Sequence, residues 1–581
     1  MTSILSLAFT FMLAIFNGGT GAPKQPTAKP AEDEAVAFSK TVDDYFDSYF
    51  RFHPTAATAA GFHQQDSELE DFSRPTIDAE IADSEHFLAR LDKISSADLS
   101  AESAADLDLL RSSIQANLLE LKDIQMWRRD PNTYPSQVSY SLFLIMQREF
   151  APQEDRLRLL IARERLIPKV LIEGQQNLSD VPPIYVDVAL EQMPGEIDFL
   201  RNDVPKAFSA VNNPELLASF KTTTDAAIKA FENYQRFLQK EIQPKANGDF
   251  RIGAENYRKK LLYEEMVDVP LDHLLEIGYA DLRRNQQHLK EVAAQIDPNR
   301  SVMEVLADLR KDHPPAGQLL QSFRDVLGGE RQFIIDKKIV TIPSPVLPIV
   351  EETPPFARAL TTASMDTPGA YDTKATQAMF NVTTPDPKWK PEQIEDWMEG
   401  FNRGTIISTS VHEAYPGHYV QFLWVKQAPS KVRKLIFCGS NAEGWAHYTE
   451  QMMLDEGFGN GDPKLRMGQL IDALLRNARF IAGIEMHTGK MTMEQARQFF
   501  IDEGYQVSTV ADMEAKRGTS DPTYLVYTLG KLQIMKLRED YKKQRGDQFS
   551  LQDFHDRFLQ QGSVPLKIIR KAMLGNDSPT L

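Results

Sequence analysis

The stretch "LDHLLEIGYADLRRNQQHLKEVAAQI", residues 271–296, sets the fold class. Its Leu271, Leu274, Leu275, Leu282, Leu289, Val292 and Ile296 recur at spacings that keep them on one face of a 3.6-residue helix. The same periodicity runs through "LARLDKISSADLSAESAADLDLLRSSIQANLLELKDI" (88–124), "RLRLLIARERLIPKVLIEGQQNL" (156–178) and most of 465–573. Prolines and glycines are expected at helix ends, with Pro416 the exception. β signals are few. "KKIVTIPSPVLPIV" (337–350) is β-branched but broken by prolines, which suits at most an edge strand. "QAMFNVTTPDP" (377–387) is a second candidate, closed by a proline turn. With no internal repeat and no second linker, the sequence predicts a mainly α fold, one large helical domain over 37–581.

The 581 residues are 42% hydrophobic, enough for a large core, and the formal net charge is −17. No long basic run is present, which excludes nucleic-acid binding by a concentrated positive footprint. Residues 1–22 carry no charged side chain, and "ILSLAFTFMLAIF" (4–16) is an apolar run too short for a membrane span. It reads as a signal peptide, implying export to the periplasm or beyond the cell and no stable span afterwards. Residues 23–36 then read as a disordered, proline-rich linker. Cys438 is the single cysteine, so no intrachain disulfide forms, and it is read as a structural residue rather than a nucleophile.

The chemistry gathers around "VHEAYPGHYVQ" (411–421). Histidines at i and i+4 of a helix reach one metal; His412 and His418 are six apart, about 120° around an unbroken helix. Pro416 interrupts helical hydrogen bonding and Gly417 permits unusual backbone, so the pair is expected to absorb two residues as a bulge and turn His418 back toward His412. A catalytic zinc site takes three protein ligands and keeps a fourth position open. "GSNAEGWAHYTEQMM" (439–453) offers Glu443, His447 and Glu450 on one helical face. Glu443 is preferred as third ligand because it opens the helix; Glu450 is its rival, and His447 is assigned to support the site or face substrate. Glu413, beside the first histidine, is then the general base. The competing reading, a chance meeting of histidines and glutamates on exposed helix faces, fits a lone His-Glu pair better than this constellation. "GIEMHTGKM" (483–491) lacks the spacing and hydroxyl of a phosphate loop.

"HEAYPGHYVQ" followed by "EGWAHYTE" resembles the motif pair of the domain-of-unknown-function 885 family. "HPTAATAAGFHQQDSELEDFS" (53–73), "MFNVTTPDP" and "SDPTYLVYTLGKLQIMKLR" resemble other segments of it, so the resemblance covers about 37–575. The family is grouped with helical gluzincin metallopeptidases such as angiotensin-converting enzyme, the thimet-type oligopeptidases and carboxypeptidase Taq. The resemblance implies a deep central channel with the metal helix at its floor and a small β element nearby. By motif it carries His412, His418 and Glu443 over as metal ligands and Glu413 as base. It also points to Tyr527 as an oxyanion donor, with Tyr524 as rival, and to Arg476, Arg479 and His487 as residues that hold the site together.

The expected function is zinc-dependent hydrolysis of short peptides, and "QAMFNVTT" is expected to pair with the peptide backbone as an edge strand. Two other readings stand beside it: a non-catalytic peptide-binding protein on the same fold, and a metal-dependent hydrolase of another amide or ester. The cleaved position and the oligomeric state are left open.

Overall fold

The computed structural model describes residues 31–581, which are 71% helix and 2% strand. The expected signal peptide and most of the expected linker fall outside the described residues. The first helix spans Ala31–Phe52, so the predicted domain start at residue 37 lies inside it. Among the described residues no helix is long and apolar enough to cross a membrane.

Eight helices build the site and are numbered in chain order: α1 (Leu271–Ile296), α2 (Leu319–Lys337), α3 (Arg403–Glu413), α4 (His418–Val425), α5 (Gly439–Asp455), α6 (Pro463–His487), α7 (Ser508–Ser520) and α8 (Val526–Arg545). The apolar face read from α1 is real: Leu274, Leu282, Leu289 and Val292 pack against Leu474, Phe480 and Ile481 of α6 in one core cluster. α6 is buried along nearly its whole length and forms the floor under α3. Its start is fixed by Asp462, whose carboxylate accepts from the Lys464 N–H, and by Pro463 in the first turn. Asn402 caps α3 the same way, accepting from the Gly404 and Thr405 N–H groups. α5 is capped from a distance. The Glu265 carboxylate accepts from the N–H groups of Gly439 and Ser440 and from the Cys438 thiol, which burial pushes well above the usual range. Cys438 is therefore the structural residue expected.

α5 and α8 cross at Gly444 and Gly530. A Cβ on Gly530 would stand 1.7 Å from the Ser440 carbonyl oxygen, and one on Gly444 would stand 2.4 Å from the Gly530 Cα. Only paired glycines allow that approach. It fixes Glu443, next to the crossing, against the helix that carries Tyr527. Two prolines depart from expectation: Pro168 and Pro194 sit inside the helices Gln153–Asn177 and Pro183–Asp198 rather than at their ends. Packing of buried Leu157, Leu160, Ile167 and Leu171 holds the first of these helices through its proline.

Three short strands form a mixed sheet in the order β1 (Ile349–Glu352), β3 (Met379–Val382), β2 (Ala363–Asp366). β1 pairs parallel and β2 antiparallel with β3. The strand expected in 377–387 exists, but it is central and wholly buried, so it cannot be the edge that pairs with a peptide. Its residues Met379, Phe380 and Val382 are apolar on both faces, as a covered central strand requires.

The core holds several uncharged-range carboxyls. Glu196 is fully buried, its Oε2 has no hydrogen-bond partner, and burial lifts it from 4.5 to about 8. Below about pH 4.5 the folded and unfolded carboxyls both hold a proton; from there to about 8 only the folded one does. The folded state then binds more protons, so this group costs stability progressively as pH rises through that window. Glu196→Gln should leave stability at pH 4.5 nearly unchanged and raise it at pH 8.5 by on the order of 5 kcal/mol in urea titrations. An equal change at both pH values would refute the assignment.

Candidate metal centre

α3 ends at Glu413 and α4 begins at His418, so the two-residue excess is resolved as a break between two helices rather than a bulge within one. The turn between them contains a cis Tyr415–Pro416 bond. Gly417 donates its N–H back to the Val411 carbonyl at 2.9 Å. The Pro416 carbonyl accepts from Trp445 Nε1 at 2.8 Å, which ties the turn to α5. Gln421 Nε2 donates to Asn441 Oδ1 at 2.9 Å and adds a second tie.

The result brings the expected ligands together. His412 and His418 place their rings 4.8 Å apart at 87°, and their Nε2 atoms lie 3.3 and 3.2 Å from the same oxygen, Glu443 Oε2. Glu443 opens on a cleft with 24% of its side chain exposed, but its Oε2 is buried and has no hydrogen-bond partner among the described residues. Ligand atoms of the three residues lie within 4.8 Å of one another, a set that could hold a cation. Burial opposes charge on Glu443, yet the His418 and His412 imidazoles hold it well below the usual carboxylate range.

Glu450 lies outside this three-residue group. Its Oε1 sits 2.7 Å from His412 Nδ1 and 3.2 Å from Arg476 Nη2, and its Oε2 is 3.2 Å from His447 Nδ1. A carboxylate on the outer nitrogen fixes the ring so that Nε2 faces the centre. Burial works against a charged His412, but Glu443 and Glu450 outweigh it and hold the imidazole at about 9. His447 is fully buried against Glu450 and supports the site; it does not face the cleft. Burial, helped by Lys531, lowers it to about 3, so it is neutral.

The cleft over the centre has a volume of about 390 Å³. Glu413 lines it, is buried, has an unpartnered Oε2, and is pushed up by that burial. Tyr527 also lines it, its ring stacked on His412 with centroids 6.0 Å apart. Tyr524 is fully buried and off the cleft, which removes it as a rival. Arg476 and Arg479 lie under the Tyr527 ring, and Arg479 forms a two-pronged pair with Glu514 at 2.6 Å. His487 is elsewhere, accepting from Ile252 N–H and bonded to the Gly518 carbonyl.

Four features of the cleft escaped the sequence reading. Arg517 lines it beside Tyr527, Phe422 stacks on His418 at 5.5 Å, Phe437 stands 58% exposed at its mouth, and β2 forms a wall through Ala363, Ser364 and Met365. "ASMD" alternates apolar and polar over only four residues and has no β-branched or aromatic residue, so its local strand signal is weak.

The chain belongs to the family described as bacterial protein of unknown function (DUF885), whose model matches residues 54–573. No curated protein matches it. Among solved structures it is similar to a candidate lipoprotein of unknown function from Shewanella oneidensis. The two share 27% identity at a TM-score of 0.75, over 92% of this chain and 99% of that one. It also shares its fold with a candidate lipoprotein from Colwellia psychrerythraea, at 17% identity and a TM-score of 0.77, over 94% of this chain and 98% of that one.

Proposed function

We propose that the protein is an exported, zinc-dependent hydrolase of short peptides, of the gluzincin type. The observation that carries this reading is Glu443 Oε2, a buried oxygen that makes no well-aligned hydrogen bond yet is faced by two imidazole Nε2 atoms at 3.3 and 3.2 Å. Two atoms bound 2.0–2.1 Å from a tetrahedral zinc are about 3.3 Å apart, so both edges suit that ion. The donor set, two histidines and a glutamate with a carboxylate behind the first histidine, is a catalytic one. Export is supported by the N-terminal apolar run and by the lipoprotein descriptions of the two structural neighbours.

Zinc held there supplies polarisation of a carbonyl and activation of water at neutral pH. Glu413 takes the proton from the attacking water and delivers it to the leaving amine. The Tyr527 hydroxyl, which accepts from Arg517 Nη2 at 3.1 Å, keeps its own proton to donate to the developing oxyanion. Burial raises Tyr527 above its usual value, which keeps that proton in place.

β2 supports a peptide as substrate. The Thr383 N–H donates to the Thr362 carbonyl, so Thr362, Ser364 and Asp366 face β3. Ladder alternation then turns the N–H and C=O groups of Ala363 and Met365 to the open edge, where the Ala363 carbonyl already accepts from Thr361 Oγ1 at 2.7 Å. An extended peptide can add there as a strand. The edge is thus β2, where the sequence had suggested 377–384.

Metal analysis by plasma mass spectrometry tests the centre. Wild type should carry about one zinc per chain, lost in both His418→Ala and Glu443→Gln. Wild type that stays metal-free in added zinc would instead favour a peptide-binding protein.

A further inference from the structure

We propose that Arg517 receives the C-terminal carboxylate of the substrate, which makes the protein a carboxypeptidase that releases one residue at a time. This rests on the peptide reading above. Arg517 is the one arginine or lysine among the described residues lining the cleft, and 22% of its side chain is exposed there. Its contacts are all on one side: Nε and Nη2 donate to Asp521 Oδ2 at 3.1 and 3.0 Å, and Nη2 donates to the Tyr527 hydroxyl at 3.1 Å. Nη1, with two N–H bonds, has no partner among the described residues. A guanidinium presents five donors in a planar fork, so two remain for an acceptor entering from the cleft.

Position decides which anion that is. The Tyr527 ring lies on His412, and the Arg517 guanidinium carbon is 5.8 Å from that ring's centroid. An oxyanion on the Tyr527 hydroxyl and a carboxylate on Nη1 are therefore neighbours. The carboxylate of the residue after the scissile bond is separated from the scissile carbonyl by one residue, about 3.5 Å of extended chain. The rest of the cleft suits that final residue's side chain, since Phe422, Phe437 and Met365 form an apolar wall. Away from the His412–His418–Glu443 centre, no other cationic side chain among the described residues lines the cleft.

The test uses two N-blocked peptides of one sequence ending in an apolar residue, one with a free C-terminus and one amidated. Turnover is measured with zinc-loaded wild type and Arg517→Gln, and binding by calorimetry on the same pair carrying Glu413→Gln. Wild type should prefer the free acid by about tenfold to a hundredfold in both readouts, the range of a hydrogen bond to a charged group. Arg517→Gln should slow both peptides through Tyr527 but bring the acid-to-amide ratio near one, and Arg517→Lys should restore part of it. A ratio that survives in Arg517→Gln, or a wild type without preference, overturns the proposal and leaves Arg517 as a positioning residue for Tyr527. Zinc-loaded wild type that neither binds nor cleaves either peptide overturns the peptide reading itself.

Discussion

Glu413→Gln is expected to keep the metal and lose the reaction. The side chain ends α3, next to a ligand, but no hydrogen bond or ion pair ties its Oε2 to the protein. Gln has the same shape, so no bond is broken and no cavity opens. Burial already disfavours the charged carboxylate, so a neutral amide should hold or slightly improve stability. Catalysis is another matter. An amide cannot take a proton from water, and removal of a general base costs typically 10²–10⁴-fold. The expected result is therefore kcat down by at least 10²-fold on a cleaved peptide, with zinc content and melting temperature as in wild type. Glu443→Gln supplies the contrast, because it should lose metal and activity together. A Glu413→Gln protein with a tenth or more of the wild-type kcat would show that another group is the base. Loss of zinc in that variant would make Glu413 a ligand.

The helical class was legible because amphipathic periodicity is a local property, and α1 shows it in seven apolar positions. The meeting of His412 and His418 was legible for a different reason. A proline and a glycine between two histidines announce that the helix ends there, although the pattern could not tell a bulge from the observed break between Glu413 and His418. Glu443 and Glu450 share one face of α5, so spacing alone ranked them weakly; Glu443 faces the two imidazole Nε2 atoms, while Glu450 faces Arg476, His447 and the outer nitrogen of His412. What stayed hidden depends on tertiary approach. β2 is a strand only because β3 pairs with it, and Arg517 reaches the cleft only because α7 lies against α6. The assignment of 377–384 as an edge failed for the same reason, since strand order is not written in a strand's own residues.

Gly417→Ala should separate the two halves of the centre. A Cβ there would stand 1.7 Å from the His412 carbonyl oxygen, 2.4 Å from the His412 carbonyl carbon and 2.4 Å from the Val411 oxygen. All three are backbone atoms of the last turn of α3, so no side chain can swing aside. Relief requires the start of α4 to move away from the end of α3, and His412 and His418 sit on opposite sides of that contact. Overpacking of this kind costs about 1–3 kcal/mol of stability. The larger loss should be in metal affinity. Two ligands converge on Glu443 Oε2 at 3.3 and 3.2 Å, and displacing one by even an ångström removes it from a tetrahedral shell. We expect zinc affinity, measured by competition with a chromophoric chelator, to fall at least 100-fold, the upper end of the loss seen when a metal site's supporting residue is removed. Added zinc should then no longer raise the variant's melting temperature. Gly329→Ala, in α2 where a Cβ meets no atom within 4 Å, is the control and should bind zinc as wild type does. Wild-type affinity in Gly417→Ala would mean that the turn can relax without moving His418, and that its glycine serves the fold rather than the metal.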